Sequence, residues 1–151
     1  LTLFSDINQL ALVSIRDYKI DKLFTTNDIA TFESQMKGYL LKAIPKFTNC
    51  KYDLDSITDI TNSQFTNDLS LTEQTILSDL QVIEWLNSKI LDITQLNLHL
   101  NDTDFKRYSE AQNLTAKMNT RNILRETINQ DMENYSIKNI PWSDWMSGNY
   151  G

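Results

Sequence analysis

The stretch SLTEQTILSDLQVIEWLNSKILDITQL, residues 70–96, decides the fold class. Its head, Ser70-Leu71-Thr72-Glu73, is a capping box: the Ser70 hydroxyl accepts from the Glu73 amide while the Glu73 carboxylate reaches back. Behind it Ile76, Leu80, Ile83, Asn87 and Ile90 follow at spacings of three and four, and Leu77, Leu86 and Ile93 widen the stripe. The spacing predicts a helix running to about Leu96.

Downstream, a turn around His99 to Asp102 leads to Thr103, a good N-cap. Phe105, Tyr108, Ala111, Thr115, Met118, Leu124, Ile128, Met132 and Tyr135 then continue, and neither proline nor glycine interrupts residues 101–140. A last helix of about 32 residues is expected, roughly 48 Å long at 1.5 Å per residue. That is more than a small bundle needs for its own core, so part of it is expected to pack on another molecule.

Upstream, Leu3, Ile7, Leu10, Ala11 and Ser14 stand at helical spacing, so a short amphipathic helix is expected from Leu3 to about Ile15. Residues 17–25 show no clean period and read as extended or irregular. Thr25, Thr26, Asn27 and Asp28 offer N-caps before Phe32, Met36, Leu40 and Ile44, with Tyr39 and Ala43 on the neighbouring row. Pro45 biases Ile44 away from the helical region, so this helix should kink or stop there, with Phe47 packing just beyond. Between Asn49 and Leu69 lies a long acidic loop, with room for a short hairpin where Ser56 to Thr61 and Gln64 to Thr66 flank Asn62-Ser63. The expected fold is therefore all-α: a small bundle of about four helices, a long acidic loop and a very long last helix.

Composition supports this and excludes other classes. The 151 residues are 40% hydrophobic, enough for one domain with its own core. Three glycines and two prolines leave little turn chemistry for a many-stranded protein and no Gly-rich phosphate cradle. One cysteine, Cys50, and one histidine, His99, exclude a disulfide framework and the common zinc sites within one chain. The net charge of −6 argues against gripping nucleic acid or an anionic membrane through the whole surface, and residues 45–105 alone carry ten acidic against three basic side chains. No apolar run reaches the roughly 20 residues of a membrane span, and the start lacks the pattern of a signal peptide, so the chain reads as cytoplasmic.

Few residues invite chemistry. Asp53-Leu54-Asp55 and Asp102-Thr103-Asp104 each pair two carboxylates, but neither sits in the twelve-residue loop of a calcium site, and Asp104 has an ordinary role in a helix's first turn. His99 has no identifiable proton-transfer partner, and Cys50 has no base beyond neighbouring Lys51. No enzymatic activity and no cofactor or metal are expected.

Two stretches point to partners instead. Beyond the last long helix, residues 141–151 hold Pro141, Trp142, Trp145, Met146 and Tyr150, with Pro141 suited to open a short helix that places Trp142, Trp145 and Met146 on one face. Such a tail is either an anchor for a groove on a partner or a cap folded back on its own bundle. The chain thus divides into a helical domain, 1–140, and a docking tail, 141–151. The second stretch is the acidic row Asp53, Asp55, Asp59 and Asp68, read either as a solvated surface or, in a ring with these loops inward, as a lumen that repels DNA phosphates.

Thr31-Phe32-Glu33 with Gly38-Tyr39-Leu40-Leu41-Lys42-Ala43-Ile44-Pro45 resembles the second helix of the head-to-tail connector, or neck adaptor, proteins of tailed bacteriophages. The string from Asn97 to Leu114, NLHLNDTDFKRYSEAQNL, is similar to the start of the final helix in connectors of phages infecting low-GC Gram-positive bacteria. The likeness, which includes the order of elements, spans roughly residues 15–140. It implies a virion protein of the neck, assembled in the host cytoplasm as a ring of identical subunits beneath the portal protein. Such a ring extends the DNA channel, lets DNA pass without specific binding, and presents a surface to the next neck or tail-completion protein, with no membrane involved. It also implies that Trp142, Trp145, Met146 and Tyr150 dock on the portal. A cytoplasmic helical binding module or regulator using the same aromatic tail fits the composition too.

Overall fold

In a computed structural model that describes residues 1–17, 29–99, 104–140, 143, 146 and 148, the chain opens on a two-residue strand, β1 (Thr2–Leu3), followed at once by helix α1 (Phe4–Asp17). Helix α2 (Ile29–Ala43) ends in a 3₁₀ turn over Ile44–Lys46, where Pro45 denies the helix its next amide. A single helical turn, α3 (Leu54–Ile57), leads into the hairpin of β2 (Thr58–Asp59) and β3 (Gln64–Phe65). Then come the two long helices, α4 (Leu71–His99) and α5 (Asp104–Lys138). The expected all-α bundle is what forms. The side chains of 92–99 and 104–113 lie outside the described residues, as do residues 18–28 and the N-cap candidates Thr25, Thr26, Asn27, Asp28 and Thr103.

The axis of the bundle is α4, against which α1, α2 and α5 all pack. Every residue from Ile76 to Ile83 is buried, so this helix has no solvent face along its middle. Its capping box forms as expected: the Glu73 amide donates to Ser70 Oγ at 3.3 Å and the Ser70 amide donates to Glu73 Oε2 at 2.7 Å. Phe4, Ile7, Ala11 and Ile15 of α1, Met36, Leu40 and Ala43 of α2, and Leu124 and Ile128 of α5 close the core around Ile76, Leu80, Ile83, Trp85 and Leu86.

Three expectations need correction. Leu3 does not open the face of the first helix. It is extended, opposite Gln64, and 42% exposed, and Phe4 takes the core position with its ring against Phe65 at 5.2 Å. Pairing overrides helical spacing here, because Thr2 and Leu3 supply the third strand of a small antiparallel sheet ordered β1-β3-β2. Second, the stretch from Asn49 to Leu69 holds the short hairpin allowed for, but it is not otherwise open, since α3 adds a helical turn and Leu54, Phe65 and Leu69 anchor it in the core. Third, Thr115 and Met118 are exposed, so among the described side chains the inward row of α5 passes instead through half-buried Leu114 and buried Leu124, Ile128 and Tyr135.

Candidate interaction surfaces

The C-terminal end of α5 is held by a buried polar cluster that the sequence does not announce. Tyr135 donates its hydroxyl to Glu73 Oε1 at 2.9 Å and accepts the Lys51 amide at 3.1 Å. Glu73 is 1% exposed, and the Lys51 ammonium stands 3.6 Å from the same carboxylate oxygen. One carboxylate thus ties the first turn of α4, the last turns of α5 and the segment after the 3₁₀ turn. Burial, more than the partner groups, pushes the Tyr135 hydroxyl well above its ordinary range, so it stays a donor. Phe47 packs edge-on against Tyr135 at 5.2 Å, and Asn49 donates to the Met132 carbonyl and to Ser136 Oγ. The capping-box signal predicts a Glu73 turned to its own helix end. It cannot show that the second carboxylate oxygen serves a tyrosine 62 residues away.

That anchoring sets where the tail leaves. The amides of Asn139 and Ile140 close on the carbonyls of Tyr135 and Ile137, ending the helix beside Lys51. Of the tail residues singled out, Met146 is 89% exposed, while Pro141, Trp142, Trp145 and Tyr150 lie outside the described residues. A surface cleft of about 400 Å³ opens at this end of the bundle, lined by Pro45, Thr48, Cys50, Lys51, Asp53 and Asp55 among others. Cys50 is half-buried there, and burial raises its thiol above the ordinary range, the opposite of what a nucleophile needs.

The four aspartates occupy different environments. Asp53 and Asp55 are exposed on either side of the start of α3, and Asp68 is exposed just before α4. Asp59 is half-buried: its carboxylate accepts the Asn62 side-chain amide at 2.7 Å and the Asn62 backbone amide at 3.0 Å, which keeps it ionised below the usual carboxylate range. It therefore builds the hairpin turn. Lys37 of α2 braces the same turn, donating to the Ile60 carbonyl at 2.6 Å and to Ser63 Oγ at 2.8 Å. Ser63 takes φ of +55°, a left-handed conformation unusual for a residue with a side chain, and its carbonyl accepts the Phe4 amide at 2.9 Å. Ile60, 55% exposed, stands at the apex of this braced turn.

The opposite sign of charge lies farther along α4. Arg121 of α5 donates to Asn87 Oδ1 at 3.1 Å, and with the Tyr135–Glu73 bond this shows the two helices running antiparallel. Leu91, one turn beyond Asn87, is 57% exposed, and Met118 lies one turn before Arg121, so the two come alongside. Arg121 and exposed Arg125 frame them, and residues 114–125 contain three basic side chains and no acidic one.

Among the described residues no three His, Cys, Asp or Glu side chains converge to hold a metal ion, and no described helix is long and apolar enough to cross a membrane. His99 closes α4, but its side chain is not described, and Asp102 lies outside the described residues. Neither a protein-family model, nor a curated protein, nor a solved structure matches the chain.

Proposed function

We propose that this chain is a non-enzymatic structural protein of a tailed-phage neck, a subunit of a homo-oligomeric ring that joins capsid to tail and extends the DNA channel. The observation that carries the reading is the way α5 is spent. Its 35 residues span about 52 Å, yet it packs on the helical core chiefly through α4. Only Leu124, Ile128 and Tyr135 of its described side chains are fully buried. A long helix so little covered by its own chain along its described side chains is surface for neighbours, and identical neighbours related by rotation close a ring.

The exposure of Met146 suits a tail that docks outside its own bundle, with Pro141, Trp142, Trp145 and Tyr150 as its other anchors on the portal protein. Exposed Asp53, Asp55 and Asp68 stand at the end from which that tail leaves. Turned inward in a ring, they would repel DNA phosphates, so the duplex slides without sticking. The next neck or tail-completion protein would meet the far side of the ring.

The test is assembly with the portal of the same virus. Mixed with it, the chain should stack on it as a high-order ring in electron micrographs. A one-to-one or dimeric complex would make it a cytoplasmic binding module instead, and no association would overturn the portal reading. Within assembled particles, replacing Asp53, Asp55 and Asp68 by Asn, with Asp59 left to hold its turn, should cause DNA to be retained in the channel, and unchanged genome release would remove the lumen role.

A further inference from the structure

We infer that the braced hairpin tip of one subunit, Asp59–Ile60, seats on the Leu91–Met118 patch framed by Arg121 and Arg125 in the next copy of the chain. This rests on the ring reading and supplies its contact, which the resemblance does not give.

The two surfaces differ in the ways a heterologous contact requires. At the hairpin end Asp6, Glu33, Asp53, Asp55 and Asp59 outnumber the bases beside them: Lys37 clamps the turn, the Lys51 ammonium lies against the buried Glu73 carboxylate, and the Leu1 ammonium pairs with Asp68. The patch end has Arg121 and Arg125, and Arg121 meets an uncharged amide in Asn87 rather than a carboxylate. Charge complementarity therefore relates two different surfaces of the molecule, and two like surfaces repel. That disfavours a face-to-face dimer and favours head-to-tail addition of a second copy.

Position agrees with charge. The tip lies against Lys37 of α2 and the first turn of α1, whereas the patch is built from α4 and α5, so the two surfaces stand on different elements and one copy can use both at once. The tip is also built as a knob. Asp59 caps the turn, Lys37 clamps it from α2, Ser63 holds a left-handed conformation, and the side chain held at the apex is an exposed isoleucine. A rigid apolar tip loses little entropy on docking, and Leu91 and Met118 offer it an apolar seat inside a basic rim. With Asp59 at the subunit contact, exposed Asp53 and Asp55 remain for the channel.

The experiment is directional cross-linking of the full chain. In a Cys50→Ser background, Ile60→Cys protein mixed with Met118→Cys protein under a mild oxidant should give a disulfide-linked dimer that neither gives alone. Both positions are exposed, so folding should be unaffected, which circular dichroism checks. Separately, Arg125→Glu should weaken self-association by about tenfold at low salt, and added salt should weaken the wild-type contact likewise. Cross-linking of Ile60→Cys to itself, no mixed product, or a wild-type chain monomeric at every concentration overturns the contact. Rings that form on the portal without the mixed cross-link overturn this contact and leave the ring reading standing. The mixed cross-link in an open filament that ignores the portal supports the contact and overturns the portal reading.

Discussion

Asp79 is 8% exposed on α4, and its carboxylate accepts the Ser14 hydroxyl at 2.9 Å. Burial pushes its pKa up to about 6, the Ser14 bond resists that shift, and the charge of Asp131 on α5 adds to it. The unfolded chain titrates this group near the ordinary 3.8. Between there and about 6 the folded state binds more protons than the unfolded one. Stability contributed by the protonated form is therefore present at low pH and lost as pH rises through about 6, to the extent of roughly 2 kcal/mol. Asp79→Asn keeps an acceptor for Ser14 and removes the charge. It should raise urea stability at neutral pH by about 1–3 kcal/mol and leave it unchanged near pH 4, and equal effects at both would assign the gain to packing alone. Glu73, also buried, is surrounded by donors. Tyr135→Phe strips its carboxylate of one donor and the Lys51 amide of its acceptor, and should cost about 2–3 kcal/mol in urea unfolding. Glu73→Gln keeps the capping pattern and should cost less. A double-mutant cycle showing coupling under about 0.5 kcal/mol would mean the two side chains do not act as a unit.

Among the elements, the start of α4 was legible because a capping box is a local device: hydroxyl, carboxylate and two amides all lie within one turn. Its middle was not. Ser78, Asp79 and Gln81 are polar yet buried: Ser78 bonds back to the Thr75 carbonyl of its own helix, while α1 and α2 meet Asp79 and Gln81 with matching groups. Gln81 Nε2 donates to Asn8 Oδ1 at 2.8 Å and to the Met36 carbonyl at 2.7 Å, and Ser14 serves Asp79. Periodicity in one segment cannot report polar partners held by others. The hairpin was legible in outline from Asn62-Ser63, whereas its third strand, two residues long, leaves too short a pattern to separate from the helix that follows. On α5 the phase of the stripe can be tested directly. Leu124→Ala should cost about 2–4 kcal/mol, while Ile123→Ala, beside it but 56% exposed, should stay within about 0.5 kcal/mol. Similar costs at both positions would mean that the outer face of α5 is already covered in the free protein, by a second copy or by the tail.

For the whole molecule, the question is whether residues 141–151 belong to the fold or to a partner. Composition alone singled out the aromatic tail and the acidic row. It could not show that the acidic row lies at the end of the bundle where α5 finishes, because that depends on Tyr135 joining α5 to Lys51 and Glu73, a link between distant residues. Every fully buried hydrophobic residue described lies at or before Tyr135, and the bonds that finish α5 use only carbonyls within it. Ending the chain after Ile140 should therefore leave the urea midpoint and the cooperativity of unfolding within error of the full chain, a change under about 0.5 kcal/mol. The same truncation should abolish capture of the portal in a pull-down with purified components. The two readouts separate the roles the sequence left open. A tail that caps its own bundle lowers the midpoint on removal, because the apolar surface it covered is returned to water at about 25 cal/mol per Å². A tail that serves a partner leaves the midpoint where it was and removes only binding, so an unchanged midpoint with undiminished portal capture would leave Trp142 and Trp145 without either job.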